Sequence, residues 1–198
     1  MMDRARRTVL SAAGLAATWG LAPARSVWAS ADLPRLDASA AAQELSRRPM
    51  ILMMRHEQTE PGVGDPPGFR LDQCGTQRNL SAEGRIRARQ TGERLHAAGV
   101  EFSAVRSSRW CRCLDTAQLA FGRVEPWPAL DSFFADPSQR PAQMRSLMEG
   151  LSSFGGPQAW MLVTHQVVIS ASLGVWTAMG DIVAADRDGS GWRPVFRI

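Results

Sequence analysis

Two of the three histidines in this chain directly follow short apolar runs. Arg55-His56 comes after Met50-Ile51-Leu52-Met53-Met54, and Thr164-His165-Gln166 closes the run that begins at Ala159. A third run, Phe102 to Ser107, leads into Ser107-Ser108-Arg109 and then Arg112. Imidazole can serve as nucleophile or as hydrogen-bond donor near neutral pH. Guanidinium groups bind phosphate oxygens in pairs. Cations held close together repel one another unless an anion lies between them. These residue types therefore predict a phosphate-binding site. The third histidine, His96, sits in a polar stretch and is read as a surface residue.

The surrounding pattern must place those residues on one edge. Residues 50–54, 102–107, 124–127 and 159–164 read as strands, the first and last apolar enough to be buried on both faces. Helices are expected over 37–48 with Asp37 or Ser39 as N-cap, over 81–98 closed by Gly99, and over 110–121, 138–154 and 167–177. Asp181 to Ile198 reads as a hairpin turning at Asp188-Gly189-Ser190-Gly191. Alternating strands and helices imply an α/β three-layer sandwich with a mostly parallel central sheet. In such sheets ligands gather beyond the carboxyl ends of the strands. Glu57 to Asn79 is a long Gly- and Pro-rich loop, a length that usually signals function or disorder.

Arg55-His56 after a buried strand, Ser107-Ser108-x-x-x-Arg112-x-x-Asp115-Thr116-Ala117 after the next, and Val163-Thr164-His165 late in the chain resemble the histidine phosphatase (phosphoglycerate mutase-like) superfamily. Leu80-Ser81-x-x-Gly84 resembles the start of that superfamily's first helix. The resemblance spans about 50–177 and implies hydrolysis of a phosphomonoester through a phosphohistidine intermediate. His56 would be the nucleophile, with its second ring nitrogen donating to a backbone carbonyl. Arg55, Arg112 and His165 would bind the phosphoryl oxygens, and neither metal nor cofactor would be needed. The general acid would be Asp131, with Asp136 as alternative and Asp65 or Glu60 on the long loop as further candidates. Arg109, Ser107, Thr59, Arg70 and Arg78 are the candidate substrate contacts. The superfamily usually has a small residue after Arg-His. Glu57 stands there instead, and would repel substrate unless it points away or pairs with an arginine. A pocket spoiled by Glu57 would leave a catalytically weak protein that binds a phosphorylated ligand or partner, which is the alternative function.

Composition limits the partners. The net charge is +4, but Arg4, Arg6, Arg7 and Arg25 against Asp3 carry most of it. The rest is nearly balanced, which argues against nucleic-acid binding. Arg6-Arg7 followed by a diluted apolar stretch, with Val27-Trp28-Ala29 at its end, resembles a twin-arginine export signal. The organisation expected is a signal peptide over 1–29, a linker and short helix over 30–48, and the catalytic domain over 49–198. The apolar run is shorter than the roughly 20 residues of a spanning helix, so no stable membrane anchor is expected after cleavage. Such a protein would work in the periplasm or be secreted, on a small phosphorylated substrate such as a cell-envelope sugar phosphate. An oxidising compartment would let Cys74 pair with Cys111 or Cys113, and three buried thiols is the competing reading. The seven tryptophans are scattered, as core residues would be.

Overall fold

The structure, a computed structural model, describes residues 33–62, 64–189 and 191–198. The expected signal over 1–29 lies outside the described residues. Strands β1 (Ile51–Arg55), β2 (Phe102–Ser107), β3 (Glu125–Pro126), β4 (Ala159–Thr164), β5 (Ile182–Asp188) and β6 (Gly191–Arg197) form one sheet in the order β3-β2-β4-β1-β5-β6. The β3-β2, β2-β4 and β4-β1 pairs are parallel, while β5 and β6 extend one side as the antiparallel hairpin.

Helices α1 (Ala38–Arg47), α2 (Ala82–Ala97) and α3 (Cys111–Phe121) cover one face, and α4 (Arg140–Leu151) and α5 (Gln166–Leu173) the other. The alternation along β1 shows why both faces need cover. Leu52 and Met54 pack with Leu45, Leu95 and Ala117, whereas Ile51 and Met53 pack with Leu147, Val168 and Ile169. Neither face of β1 meets water, so its run is wholly apolar.

Local signals set most helix ends. Asp37 caps α1 by accepting from the Ala40 amide at 2.8 Å, and Ser81 caps α2 by accepting from Gly84 at 3.0 Å. Two helices are shorter than the sequence pattern suggests. α5 stops at Leu173 because Gly174 turns left-handed at φ 68°, and the segment expected to open α4 is a 3₁₀ turn over Pro137–Gln139. No helix of the described residues is long and apolar enough to cross a membrane.

Candidate active site

The sheet register brings the three strand ends together. Arg55 lies opposite Thr164, and Ser107 opposite Val163, so β1, β4 and β2 finish level. The ladder then runs one step further: His56 N–H donates to Thr164 O and Ser108 N–H to Val163 O, both at 3.0 Å. His56, Ser108 and His165 thus leave the sheet side by side, with the two imidazoles 5.5 Å apart in edge-on geometry.

A cleft of about 680 Å³ opens at this edge. Arg55, His56, Arg78, Arg112 and His165 line its polar end. His56 Nδ1 lies 2.8 Å from Glu57 O. Since a carbonyl only accepts, Nδ1 carries the proton and Nε2 keeps its lone pair. Burial lowers the His56 pKa to about 3; the Glu57 carbonyl opposes this, and the Arg112, Arg55 and Arg78 charges add to it. His165 is also held well below its usual value, first by burial and then by His56 and the same arginines. The Nε–H groups of Arg55 and Arg112 and the Trp110 indole N–H are buried without a protein partner. Unsatisfied donors around two neutral imidazoles make a site with an unmet demand for an anion.

His165 belongs to a second chain of contacts. Its Nε2 lies 2.8 Å from Ser108 Oγ, which donates to Asp131 Oδ1 at 3.2 Å. Asp131 also accepts from Arg109 N–H at 2.8 Å and Arg109 Nε at 2.7 Å. The carboxylate expected to serve as general acid is therefore buried, fully engaged and absent from the cleft wall. Arg109 is drawn to it and lies off the cleft as well. Sequence spacing from a strand end could not show that these two would choose each other.

Several other expected contacts are also placed elsewhere. Ser107 is buried, and its hydroxyl donates to Ser108 O. Thr59 bridges to Leu80 and faces Met179, and Arg70 is exposed and paired with Asp72. Asp136 caps the 3₁₀ turn at Ser138, and Glu60 is exposed. His96 is exposed, as expected.

The long loop supplies what the Asp131 segment does not. Asp65 lines the cleft and meets Arg112 with both oxygens, at 2.8 and 3.1 Å, while accepting from the Arg78 amide at 3.0 Å. Burial raises its pKa, but the bonds and charges of Arg112 and Arg78 outweigh that and leave it below the usual carboxylate range. The loop is fastened to α3, whose first turn carries Arg112. A disulfide joins Cys74 to Cys111, and Gln77 Oε1 accepts from the Cys111 amide at 2.9 Å. Cys113 remains a buried thiol with its pKa raised to about 12 by burial.

Glu57 points away from the cleft. Its carboxylate lies beside Thr91 of α2 and against Gly180, where a Cβ would sit 2.8 Å from both oxygens. Its amide is held by Thr116 Oγ1 at 3.1 Å. Burial raises its pKa, against a partial counterweight from neighbouring groups. Close packing likewise accounts for Gly84 in the Leu80-Ser81-x-x-Gly84 motif, since a Cβ there would collide with the Gln58 carbonyl. Among the described residues no group of three or more His, Cys, Asp or Glu is arranged to hold a metal ion.

Comparison with known proteins agrees with this architecture. The family model for the histidine phosphatase superfamily (branch 1) matches residues 51–135. Over those residues, fewer than half of the chain, the sequence is similar to that superfamily. The match covers β1 through the segment after β3, so His56, Asp65, Arg78 and Arg112 fall inside it and His165 beyond it. No curated protein matches the chain. Among solved structures, an Escherichia coli α-ribazole-5′-P phosphatase superposes with a TM-score of 0.56 at 18% identity, covering 75% of this chain and 95% of that one. The protein histidine phosphatase SixA, complexed with tungstate, gives 0.56 at 13% identity over 75% and 96%. A mycobacterial glucosyl-3-phosphoglycerate phosphatase gives 0.55 at 20% identity over 75% and 98%. The fold shared with these structures, at 75% of the chain, therefore takes in more than the residues matched by the family model.

Proposed function

We propose that the protein hydrolyses a phosphomonoester through a phosphohistidine on His56. The observation that carries this reading is the state of His56. It is neutral, its Nδ1–H is spent on Glu57 O, and it lines a cleft shared with three arginines. Nε2 attacks phosphorus while Arg55 and Arg112 hold the equatorial oxygens, where charge accumulates in the transition state, and His165 joins them as a donor once the bound anion favours its second proton. Arg78 supports the same oxygens. The P–O bond to the alcohol breaks, and the departing oxygen takes a proton. Water then attacks the phosphohistidine, the P–N bond breaks, and inorganic phosphate leaves.

Asp65 is the carboxylate best placed to supply that proton and later to receive one from the attacking water. In the resting site Arg112 keeps it ionised. A phosphate that takes over Arg112 removes the chief influence lowering its pKa and adds a like charge beside it, so Asp65 gains a proton on binding. Asp131 acts instead through Ser108, fixing the orientation and tautomer of His165.

The proposed location is the periplasm, on the strength of the arginine-pair leader. The Cys74–Cys111 disulfide supports an oxidising compartment. Three relatives that are phosphatases by name, one of them holding tungstate, support phosphoryl chemistry in this fold. A cell-envelope sugar phosphate fits the compartment, but the walls of the cleft favour a different alcohol.

The test is turnover of p-nitrophenyl phosphate from pH 4 to 8 by wild type and His56→Ala. The expected result is activity that falls to background in the variant, with an acid-labile phosphoenzyme trapped only in wild type. Phosphate binding without turnover at any pH would replace this reading with that of a binding protein.

A further inference from the structure

Away from its cationic end the cleft changes character. Pro66, Pro67 and Phe69 from the long loop, Trp110 before α3, Phe134 after β3 and Val167 at the start of α5 form its walls. The aromatic wall begins at the reacting centre. Trp110 meets His165 edge-on at 5.3 Å, and Phe69 packs against Trp110 at 5.8 Å. Phe134 stands at the mouth with 78% of its surface exposed, unusual for a large aromatic. It does not hang on a loose strand of chain. Phe133 beside it is buried in the core, Asp131 is locked to Arg109, and the Phe134 amide donates to Ser132 Oγ.

The polar side chains along these walls are few, and part of their hydrogen-bonding capacity is already engaged. Gln166 gives one Nε2 proton to Ser170 and accepts at Oε1 from Thr177, and Ser132 Oγ accepts from the Phe134 amide. Asp65 is held by Arg112. Apart from the phosphate-binding groups, the side chains of the described wall residues leave a ligand three N–H or O–H donors: the Trp110 indole, the Ser132 hydroxyl and the second Gln166 amide proton. A sugar buried here would lose water from several hydroxyls and regain few hydrogen bonds, a costly exchange. Cations that could read a second anionic group are also spent, Arg109 on Asp131 and Arg70 on Asp72.

We propose that the alcohol released from the phosphomonoester is apolar and uncharged, aryl or aralkyl in kind, seated between Phe69, Trp110 and Phe134. This rests on the phosphatase reading for the reaction but not for the binding, so the two can fail separately. Exposed apolar surface at Phe134 gains a partner only when such a group binds, which supplies affinity without any further polar contact.

The decisive experiment uses non-hydrolysable phosphonates with the full-length protein. Calorimetric titration would compare 3-phenylpropylphosphonate with 2,3-dihydroxypropylphosphonate, for wild type and Phe134→Ser. Wild type is expected to bind the phenylpropyl compound at least about fivefold more tightly, in keeping with partial burial of one ring. Phe134→Ser should cut that ratio to less than half. A smaller ratio in wild type, or one that survives the substitution, overturns the proposal. Steady-state hydrolysis of the two matching primary alkyl phosphates separates this from the reaction. Preferential binding without turnover of either would sink the phosphatase reading and leave the apolar site standing. Turnover without the preference would do the reverse.

Discussion

Asp65 occupies the Arg112 guanidinium with both carboxylate oxygens, as a phosphate would. A substrate that takes the two terminal nitrogens of Arg112 must displace it. Asp65→Asn should therefore bind inorganic phosphate more tightly, by about tenfold, because a neutral amide competes less well and no longer repels the anion. The same variant should lose about 10²-fold in kcat on an alkyl phosphate and far less on p-nitrophenyl phosphate, whose leaving group needs no proton. Its alkaline kcat limb on the alkyl ester should flatten. A variant that binds phosphate more tightly yet hydrolyses both esters normally would make Asp65 a plug and not an acid. Titration calorimetry and pH-dependent kinetics distinguish the two.

Ser108 and Asp131 should behave as one unit. Both reach the chemistry only through His165. Ser108→Ala and Asp131→Asn should each lower kcat by about 10- to 100-fold, and the double variant by little more than the worse single one. Additive losses in that double-mutant cycle would show that the two side chains act independently.

Glu57→Gln should retain activity, since the carboxylate faces α2 and Gly180 and not the cleft. Its burial raises the folded-state pKa, which means that the ionised form costs stability above the ordinary carboxylate range. The amide variant should therefore match or fall below wild type in Tm near pH 4 and gain on it as the pH rises to 8. A Tm difference that is constant with pH would remove the electrostatic explanation.

The buried neutral histidines predict acid lability of the empty site. The His56 pKa is pushed down to about 3 in the folded state, so between there and its ordinary value the unfolded chain binds the extra proton. Stability should fall as pH drops from about 6.5 toward 4, with at most about 1.4 kcal/mol per pH unit for each histidine. His56→Asn should make that slope shallower. Denaturant melts across this range in phosphate-free buffer provide the check.

Removing both ends of the disulfide, as Cys74→Ser with Cys111→Ser, should cost about 4 kcal/mol if loop-closure entropy over its 37-residue separation dominates. The same pair should weaken phosphate binding, because the bridge fixes the Asp65–Arg78 loop against the helix that carries Arg112. Loss of stability with unchanged phosphate affinity would limit the bridge to a structural role.

Much of the site was legible from the sequence because strand ends are legible. Buried parallel strands read as unbroken apolar runs, so Arg55-His56, Ser107-Ser108 and Thr164-His165 could be placed on one edge before any geometry was known. The partners of buried charges were not legible in this way. Asp131 looked like an acid near a strand end, and nothing in the spacing showed that Ser108 and Arg109 would consume it. Asp65 appeared only as one of several loop carboxylates, since a turn rich in Gly and Pro gives no periodicity from which to tell where it folds back. Glu57 looked like an intruder because a strand-end residue can leave on either side. The room that Gly180 leaves for it, more than 120 positions later, decides which.

The strand order has a consequence for how such a protein can diverge. β1 and β2 do not touch each other; each is hydrogen-bonded to β4. His56 and Ser108 are thus both gauged from a single datum, the backbone that also carries His165, and errors in one strand are not passed on to the other. The walls of the cleft come from segments outside that ladder. Mutation can remodel what is recognised while the ruler that spaces the reacting groups stays untouched.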